Sequence, residues 1–299
     1  IAILGPGGVG GLLLAALVCG GWDVIVLARQ PTAELIAREG IAVRSVRLGD
    51  FVAHPQATTT LRGVVDVLLV APKSTSLAAS LERIQTSPGL VVPLLNGIEH
   101  MPLLRERFGA ADVAAGAIRI ESDRPAAARI VQSSPFLRVD LAADDPALHP
   151  RLQRLATTLA DAEIPAAIGS DEAQILWSKL VRLVALACTT SAADQPIGWI
   201  RTDPEWRAAL SACIDEAAAV ARAQGARSDP ADPLAELDRA HPELGSSMQR
   251  DLVAGREPEL DAIAGAVLRA ASRHGLSCPT IARLAAQIAA RAGLAAPEG

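Results

Sequence analysis

The chain of 299 residues contains no tyrosine, a single asparagine, Asn96, and only two lysines, Lys73 and Lys179. The remaining 26 of its 28 basic side chains are arginines. A chain without tyrosine cannot use a tyrosine hydroxyl as proton donor, which excludes two large classes of ketone reductase. Scarce lysine and asparagine make each surviving copy a candidate for a role that Arg, Gln or Ala cannot fill. Cysteine is also sparse, at positions 19, 188, 213 and 278, with no C-x-x-C pair. That pattern speaks against a zinc site or a disulfide framework and suits a reducing compartment. No basic block or basic-aromatic stripe is present and the formal charge is −5, so a nucleic-acid partner is not expected. Long uncharged apolar runs are lacking too. Residues 11–21 are too short to span a bilayer and carry neither a cationic leader nor a cleavage site. Residues 175–193 are interrupted by Lys179 and Arg182. The expectation is a soluble cytoplasmic protein with no membrane partner.

Hydrophobic residues make up 50% of the chain and charged residues 20%, enough to bury a sizeable core. Residues 1–5 (IAILG) are a short apolar run ended by glycine. An apolar helical stretch follows to residue 19, and then a second β-rich run, DVIVLAR. This strand–turn–helix–strand order over about 30 residues is the length of one βαβ crossover. Apolar runs at 65–70, interrupted once by Asp66, and at 90–94 fit strands of a parallel sheet covered on both faces. Helices are expected at 74–85 and 98–108, and a less regular β-like region at 112–140. After residue 168 strand candidates vanish, and helices are expected at 171–193, 204–224, 230–240, 245–254, 258–274 and 279–292. Several of these open near a proline, and Gly225 and Gly275 stand where caps belong. The fold class is α/β, an N-terminal Rossmann-type parallel-sheet domain (1–168) plus an all-α C-terminal domain (169–299). The apolar helical domain offers a surface for a homodimer.

Gly5-Pro6-Gly7-Gly8-Val9-Gly10 matches G-x-G-x-x-G. Such a loop needs a tight turn at Gly5, close backbone approach to a pyrophosphate at Gly7, and close helix–strand packing at Gly10. The phosphates then meet free N–H groups at a helix N-terminus. At the end of the second strand, where an NAD site usually places an acid, stands Arg29. A guanidinium there suits a 2′-phosphate and favours NADP(H); an ordinary surface arginine is the plain alternative.

The rare residues cluster. Lys73 ends VLLVAPK and Asn96 ends VVPLLN, each just past a predicted parallel strand, where ligands of open α/β sheets gather. Lys179 lies near the start of the long helix that opens the second domain. Ser247 and Glu259 fall on two successive helices and could face one pocket. For Asp251, Glu257 and Asp261 a solvated helix face is expected.

Over nearly its full length the chain resembles the ketopantoate reductase family, which reduces 2-dehydropantoate to pantoate with NADPH. The resemblance rests on GPGGVG, LLVAPK, LLNG, ILWSKL, SSMQRDLVAGREPELDAI and HGLSCP, in the family's order. It implies a catalytic role for Lys179, as general acid to the ketone oxygen, and for Glu259, which positions that lysine and the substrate. It implies that Ser247 bonds the substrate carboxylate and that Asn96 bridges cofactor and substrate. Lys73 and Arg29 match the cofactor-binding lysine and the arginine near the 2′-phosphate, alongside Gly5, Gly7, Gly8, Val9 and Gly10. His100, just after Asn96, is an alternative donor, although a partly exposed helix-face histidine is the expected reading.

The pattern breaks one and two turns beyond Lys179. Family members carry asparagines there, associated with substrate recognition; here the positions are Leu183 and Ala187. An apolar wall discriminates less in favour of a hydroxylated substrate. The substrate expected is therefore a 2-keto acid more apolar than ketopantoate, unless Thr189 or Thr190 takes over the missing contacts and ketopantoate remains. Two other readings compete. A non-catalytic NADP(H)-binding or redox-sensing protein would have no reason to keep Lys179, Ser247 and Glu259 together. A 3-hydroxyacid or opine dehydrogenase is disfavoured by the Ser247–Glu259 segment.

Overall fold

A computed structural model describes residues 1–169 and 171–299. The expected domain boundary at 168–170 touches Ser170, which lies outside the described residues. By chain contacts there are two compact units, residues 1–95 with 100–175, and residues 96–99 with 176–299.

The first unit holds two sheets. Strands β1 (Ala2–Leu4), β2 (Ile25–Leu27), β5 (Gln56–Thr58), β6 (Leu68–Val70) and β7 (Val91–Pro93) form a parallel sheet in the order β5-β2-β1-β6-β7. That is the third-second-first-fourth-fifth order of a dinucleotide-binding sheet, with its topological switch between β1 and β6. Helix α1 (Gly8–Cys19) follows β1, and α2 (Gln30–Glu39) follows β2. The second sheet is mixed: β3 (Ile41–Ser45), β4 (Gly49–Ala53), the long hairpin β8 (Ala115–Ala126) and β9 (Arg129–Ala142), and β10 (Ala166–Ile168). The β-like region expected at 112–140 is this hairpin; β3, β4, β5 and β10 were not expected.

Helix α1 explains the second sheet. Its sequence, GVGGLLLAALVC, has no polar face, and residues 10–17 are all buried. It touches β1 of the parallel sheet on one side and β3, β4, β8 and β9 on the other. A helix that is apolar all round must be covered all round. Leu13 and Leu17 join Ile3, Val26, Leu69 and Val92 in one core with Val139 and Leu141.

The helix expected at 74–85 shrinks to a 3₁₀ turn, Ser74–Ser76, and a short α3 (Leu77–Leu81). Helices α4 (His100–Phe108) and α5 (His149–Asp161) complete this unit. Helix α6 (Glu172–Ala193) opens with Glu172, which is buried, accepts from Arg105 Nη2, and donates its N–H to Asp144 at 3.1 Å.

The second unit is helical. It contains α6 beyond Ile175, α7 (Ile197–Thr202), α8 (Pro204–Ala223), α9 (Ala231–Arg239), α10 (Ser247–Val253), α11 (Ala266–Arg273) and α12 (Pro279–Ala292). Caps define the ends. Asp203 accepts from the N–H groups of Glu205 and Trp206, both at 3.0 Å, at the start of α8. Glu216, on α8, accepts from Thr280 and Ile281 at 2.9 and 3.0 Å and so ties α12 to it. Between Leu260 and α11 the chain forms a π-helical segment, Asp261–Gly265, where a regular α-helix was expected. Among the described residues α6 is the one helix long and apolar enough to cross a membrane; 67% of its apolar window is buried in the protein, as in a core helix.

Candidate active site

The glycine loop lies at the switch point of the parallel sheet. Gly5 adopts φ +90° and donates its N–H to Leu27 O at 3.1 Å. A Cβ there would stand 2.9 Å from the Pro72 nitrogen, so the turn carrying Lys73 packs directly on the loop. Gly10 lies so close to the Gly5 carbonyl and Ala71 Cβ that a side chain would collide with the former. Gly8 is equally tight, against the Ser122 carbonyl of β8, and Ser122 Oγ returns a hydrogen bond to Gly8 O at 2.9 Å. Gly7 differs from all three. It caps α1 without a side-chain bond, and the nearest atom to a Cβ there is 3.9 Å away. The open space faces an uncapped helix start, a cradle that fits a pyrophosphate and that a side chain at Gly7 would fill. Val9 is half-buried against the core.

Arg29 is exposed and caps α2 with extended backbone at the end of β2. Lys73 is exposed at the head of the 3₁₀ turn, its carbonyl accepting from the N–H of Ser76 at 3.0 Å. All these groups belong to the first unit and surround the carboxyl ends of β1, β2 and β6.

In the second unit, Asn96 and Glu259 come together across a long sequence gap. Asn96 Nδ2 donates to Glu259 Oε2 at 2.9 Å, and Glu259 is 8% exposed. Two further devices hold this pair. Gly97 has φ +82°, and a Cβ there would collide with the Ala262 carbonyl of the π-helical segment. Arg269 binds Glu99 through Nε to Oε1 (2.9 Å) and Nη2 to Oε2 (2.6 Å), and Asp261 through Nη1 to Oδ1 (2.7 Å). One guanidinium thus clamps the segment bearing Asn96 to the segment bearing Glu259. Nothing in the sequence distinguishes Arg269 from its many fellows; the π segment, a frequent companion of functional sites, has no periodic signature either.

Lys179 is half-buried near the start of α6, and Ser247 is exposed as the first residue of α10. Their helices are joined one residue earlier. Buried Ser246 shares a hydrogen bond with Thr190 Oγ1 at 3.0 Å and accepts from Gln249 N at 3.0 Å as cap of α10. Leu183 is half-buried on the Lys179 face, whereas Ala187 has 0% exposure.

Several expectations change. Thr189 and Thr190 are fully buried and bonded back to the carbonyls of Ala185 and Leu186, so neither hydroxyl is presented to a substrate. His100 is buried at the start of α4 rather than partly exposed. Asp251, expected on a solvated face, is buried and accepts from Arg256 Nε at 2.9 Å. Asp261 is exposed but serves the Arg269 clamp.

Comparison with known proteins gives the family. Residues 1–142 match the family model "Ketopantoate reductase PanE/ApbA", and residues 171–292 match "Ketopantoate reductase PanE/ApbA C terminal". A 2-dehydropantoate 2-reductase of Mycobacterium tuberculosis (strain CDC 1551 / Oshkosh) is 30% identical over 93% of each chain. The crystal structure of 2-dehydropantoate 2-reductase from Geobacter metallireducens GS-15 superposes with TM-score 0.88 at 26% identity, covering 96% of this chain and 99% of that one. The ternary structure of D-mandelate dehydrogenase with NADH and anilino(oxo)acetate gives TM-score 0.90 over 98% of each chain; its 17% identity speaks to the fold alone. With both family models covering most of its length, and with sheet order, glycine cradle and Asn96–Glu259 pair in place, the chain belongs to the ketopantoate reductase family of oxidoreductases.

Proposed function

We propose that the protein reduces a 2-keto acid to the 2-hydroxy acid with NADPH, and that its substrate is 2-dehydropantoate or a related 2-keto acid with a more apolar side chain. The observation that carries this reading is the Asn96–Glu259 hydrogen bond. It brings the only asparagine, just past a parallel strand, onto Glu259, which stands just ahead of the π-helical segment and which the family resemblance marks as catalytic.

A bound nicotinamide supplies the hydride that adds to the keto carbon. The chain's own groups do the rest. Negative charge builds on the ketone oxygen as the hydride arrives, so a cation beside it stabilises the transition state more than the ground state. Lys179 takes this role and delivers the proton to that oxygen, giving the hydroxyl. Glu259, held by Asn96, orients Lys179 and the substrate. Ser247 donates to the substrate carboxylate. Gly7 would give the pyrophosphate its cradle, in a loop that Gly5, Gly8, Val9 and Gly10 shape by packing, while Lys73 and Arg29 would meet the cofactor's charged groups. Residues 1–168 serve the dinucleotide and residues 169–299 the substrate.

The more apolar substrate is supported by Leu183 beside Lys179 and by the commitment of Thr189 and Thr190 to helix carbonyls. With no hydroxyl or amide replacing the family's asparagines, a hydroxylated side chain loses its partners. The cytoplasmic reading is supported by four free cysteines.

Steady-state kinetics on a panel of 2-keto acids tests the substrate. Alkyl or aryl keto acids are expected to exceed ketopantoate in kcat/KM; a preference for ketopantoate by orders of magnitude ends the altered-substrate reading. Lys179→Ala tests the chemistry. Turnover should fall about 10²–10⁴-fold with NADPH binding retained; unchanged turnover removes Lys179 from the mechanism.

A further inference from the structure

We propose that Arg83 is a specificity-determining residue for the cofactor, joining Arg29 to hold the 2′-phosphate of the adenosine ribose. The inference rests on the dinucleotide reading above and adds a residue that neither the glycine motif nor the end of β2 reveals.

Arg83 follows α3, and its backbone is fixed beside the residues after β5. Its carbonyl accepts from Leu61 N–H at 2.8 Å, and Gln85 N–H donates to Leu61 O at 2.8 Å. Its side chain reaches from there across the carboxyl ends of two neighbouring parallel strands. Nη1 donates to Ala28 O at 3.1 Å and to Thr59 O at 3.3 Å. Ala28 is the residue between β2 and Arg29; Thr59 is the residue after β5. The guanidinium is thereby tied to the peptide that carries Arg29.

Two features point to a ligand. First, the tether uses one nitrogen only. Among the described residues Nε and Nη2 make no hydrogen bond, and no carboxylate pairs with the half-buried guanidinium. Two other half-buried arginines are neutralised, Arg151 by Asp112 at 2.7 Å and Arg182 by Glu236 at 2.7 Å, while Arg201 is held by the carbonyls of Leu237, Asp238 and Ala240. Second, Arg29 is likewise without a carboxylate among the described residues, and Glu34, a turn further along α2, is engaged by Gln30 Nε2 at 2.5 Å. Two cations without countercharge among the described residues are therefore rooted beside the end of β2, where a dinucleotide's adenosine ribose lies in a sheet of this order. A phosphate monoester carries about −1.5 to −2 charge near neutrality and accepts from planar guanidinium donors. Arg29 is an exposed surface cation. Arg83, held by two carbonyls, is pre-organised, and less conformational freedom is lost when it binds.

The test measures binding to the full-length protein without turnover. NADPH, NADH, ADP-ribose and 2′-phospho-ADP-ribose are titrated into wild type, Arg83→Gln and Arg83→Lys. Arg83→Gln is expected to weaken both 2′-phosphorylated ligands roughly tenfold or more, the size of one charge-assisted hydrogen bond, and to leave NADH and ADP-ribose within about twofold. Arg83→Lys keeps the charge and is expected to lose less. Raising the salt concentration should weaken NADPH binding to wild type more than to Arg83→Gln. A parallel loss for all four ligands overturns the proposal, because it marks Arg83 as a strand tether or an adenine contact. Unchanged affinities overturn it as well. If Arg83→Gln does not fold, the ratio of NADPH to NADH affinity in Arg83→Lys decides. Failure of wild type to bind any of the four overturns the dinucleotide reading itself, a result distinct from an unaltered ratio.

Discussion

At the scale of single residues, burial governs chemistry. Cys188 has no exposed surface, and burial, helped by Glu216, pushes its thiol up to about 12 from an ordinary value of 9.0. Burial raises Cys213 in the same direction. A thiol held above its unfolded value keeps its proton in the folded protein. Its contribution to stability is whole below the unfolded pKa and drains away as pH rises towards the folded one. Urea unfolding should therefore show stability falling from about pH 9 upward, by up to about 1.4 kcal/mol per pH unit for each such thiol. Cys188→Ala should flatten that slope; an identical slope in the variant removes Cys188 as its source. Arg269 is the second case. Losing the guanidinium in Arg269→Met frees Glu99 and Asp261 and loosens the Asn96–Glu259 pair. Because sub-ångström misplacement is costly in catalysis, kcat should fall about tenfold with NADPH affinity unchanged. Arg269→Lys should recover little, since an ammonium cannot bridge both carboxylates with the guanidinium's planar fork. Equal kcat in all three proteins removes the clamp from the mechanism.

At the scale of elements, the glycine loop separates packing from binding within one turn. Gly8 is pressed on the Ser122 carbonyl, whereas Gly7 faces open space at the start of α1. Gly8→Ala must push two backbone segments apart and should destabilise the fold by about 1–3 kcal/mol. Gly7 has φ −76°, which alanine tolerates, so Gly7→Ala should leave thermal stability nearly unchanged and lose most NADPH affinity. A Gly7→Ala protein that binds NADPH normally refutes the cradle. The sequence motif marks both glycines but cannot rank them, because Ser122 reaches Gly8 through a sheet that forms far along the chain. The opposite holds for α1. Its uniformly apolar sequence already demands cover on every side, and β3, β4, β8 and β9 provide it.

At the scale of the whole molecule, ligand linkage gives the simplest check on the dinucleotide reading. A ligand at about 100 times its Kd stabilises the folded state by about 2.7 kcal/mol. For a chain of this size that corresponds to a Tm rise of about 4 °C. NADPH should produce it in the wild type; no shift at saturating NADPH contradicts the assignment. Local patterns in the sequence sufficed for four of the five strands of the parallel sheet, the glycine turn and the helical second half, and they named the candidates Lys179, Asn96, Ser247 and Glu259. Each of these is written in contiguous residues, through apolar runs, turn glycines or rare side chains in motifs. What only the tertiary structure decided is which of them touch. The bond from Asn96 to Glu259, the clamp of Arg269, the burial of Thr189, Thr190 and Ala187, and the reach of Arg83 to Ala28 all join or hide residues by packing. Contacts between distant segments depend on how side chains fill space together, and no run of neighbouring residues encodes them by itself.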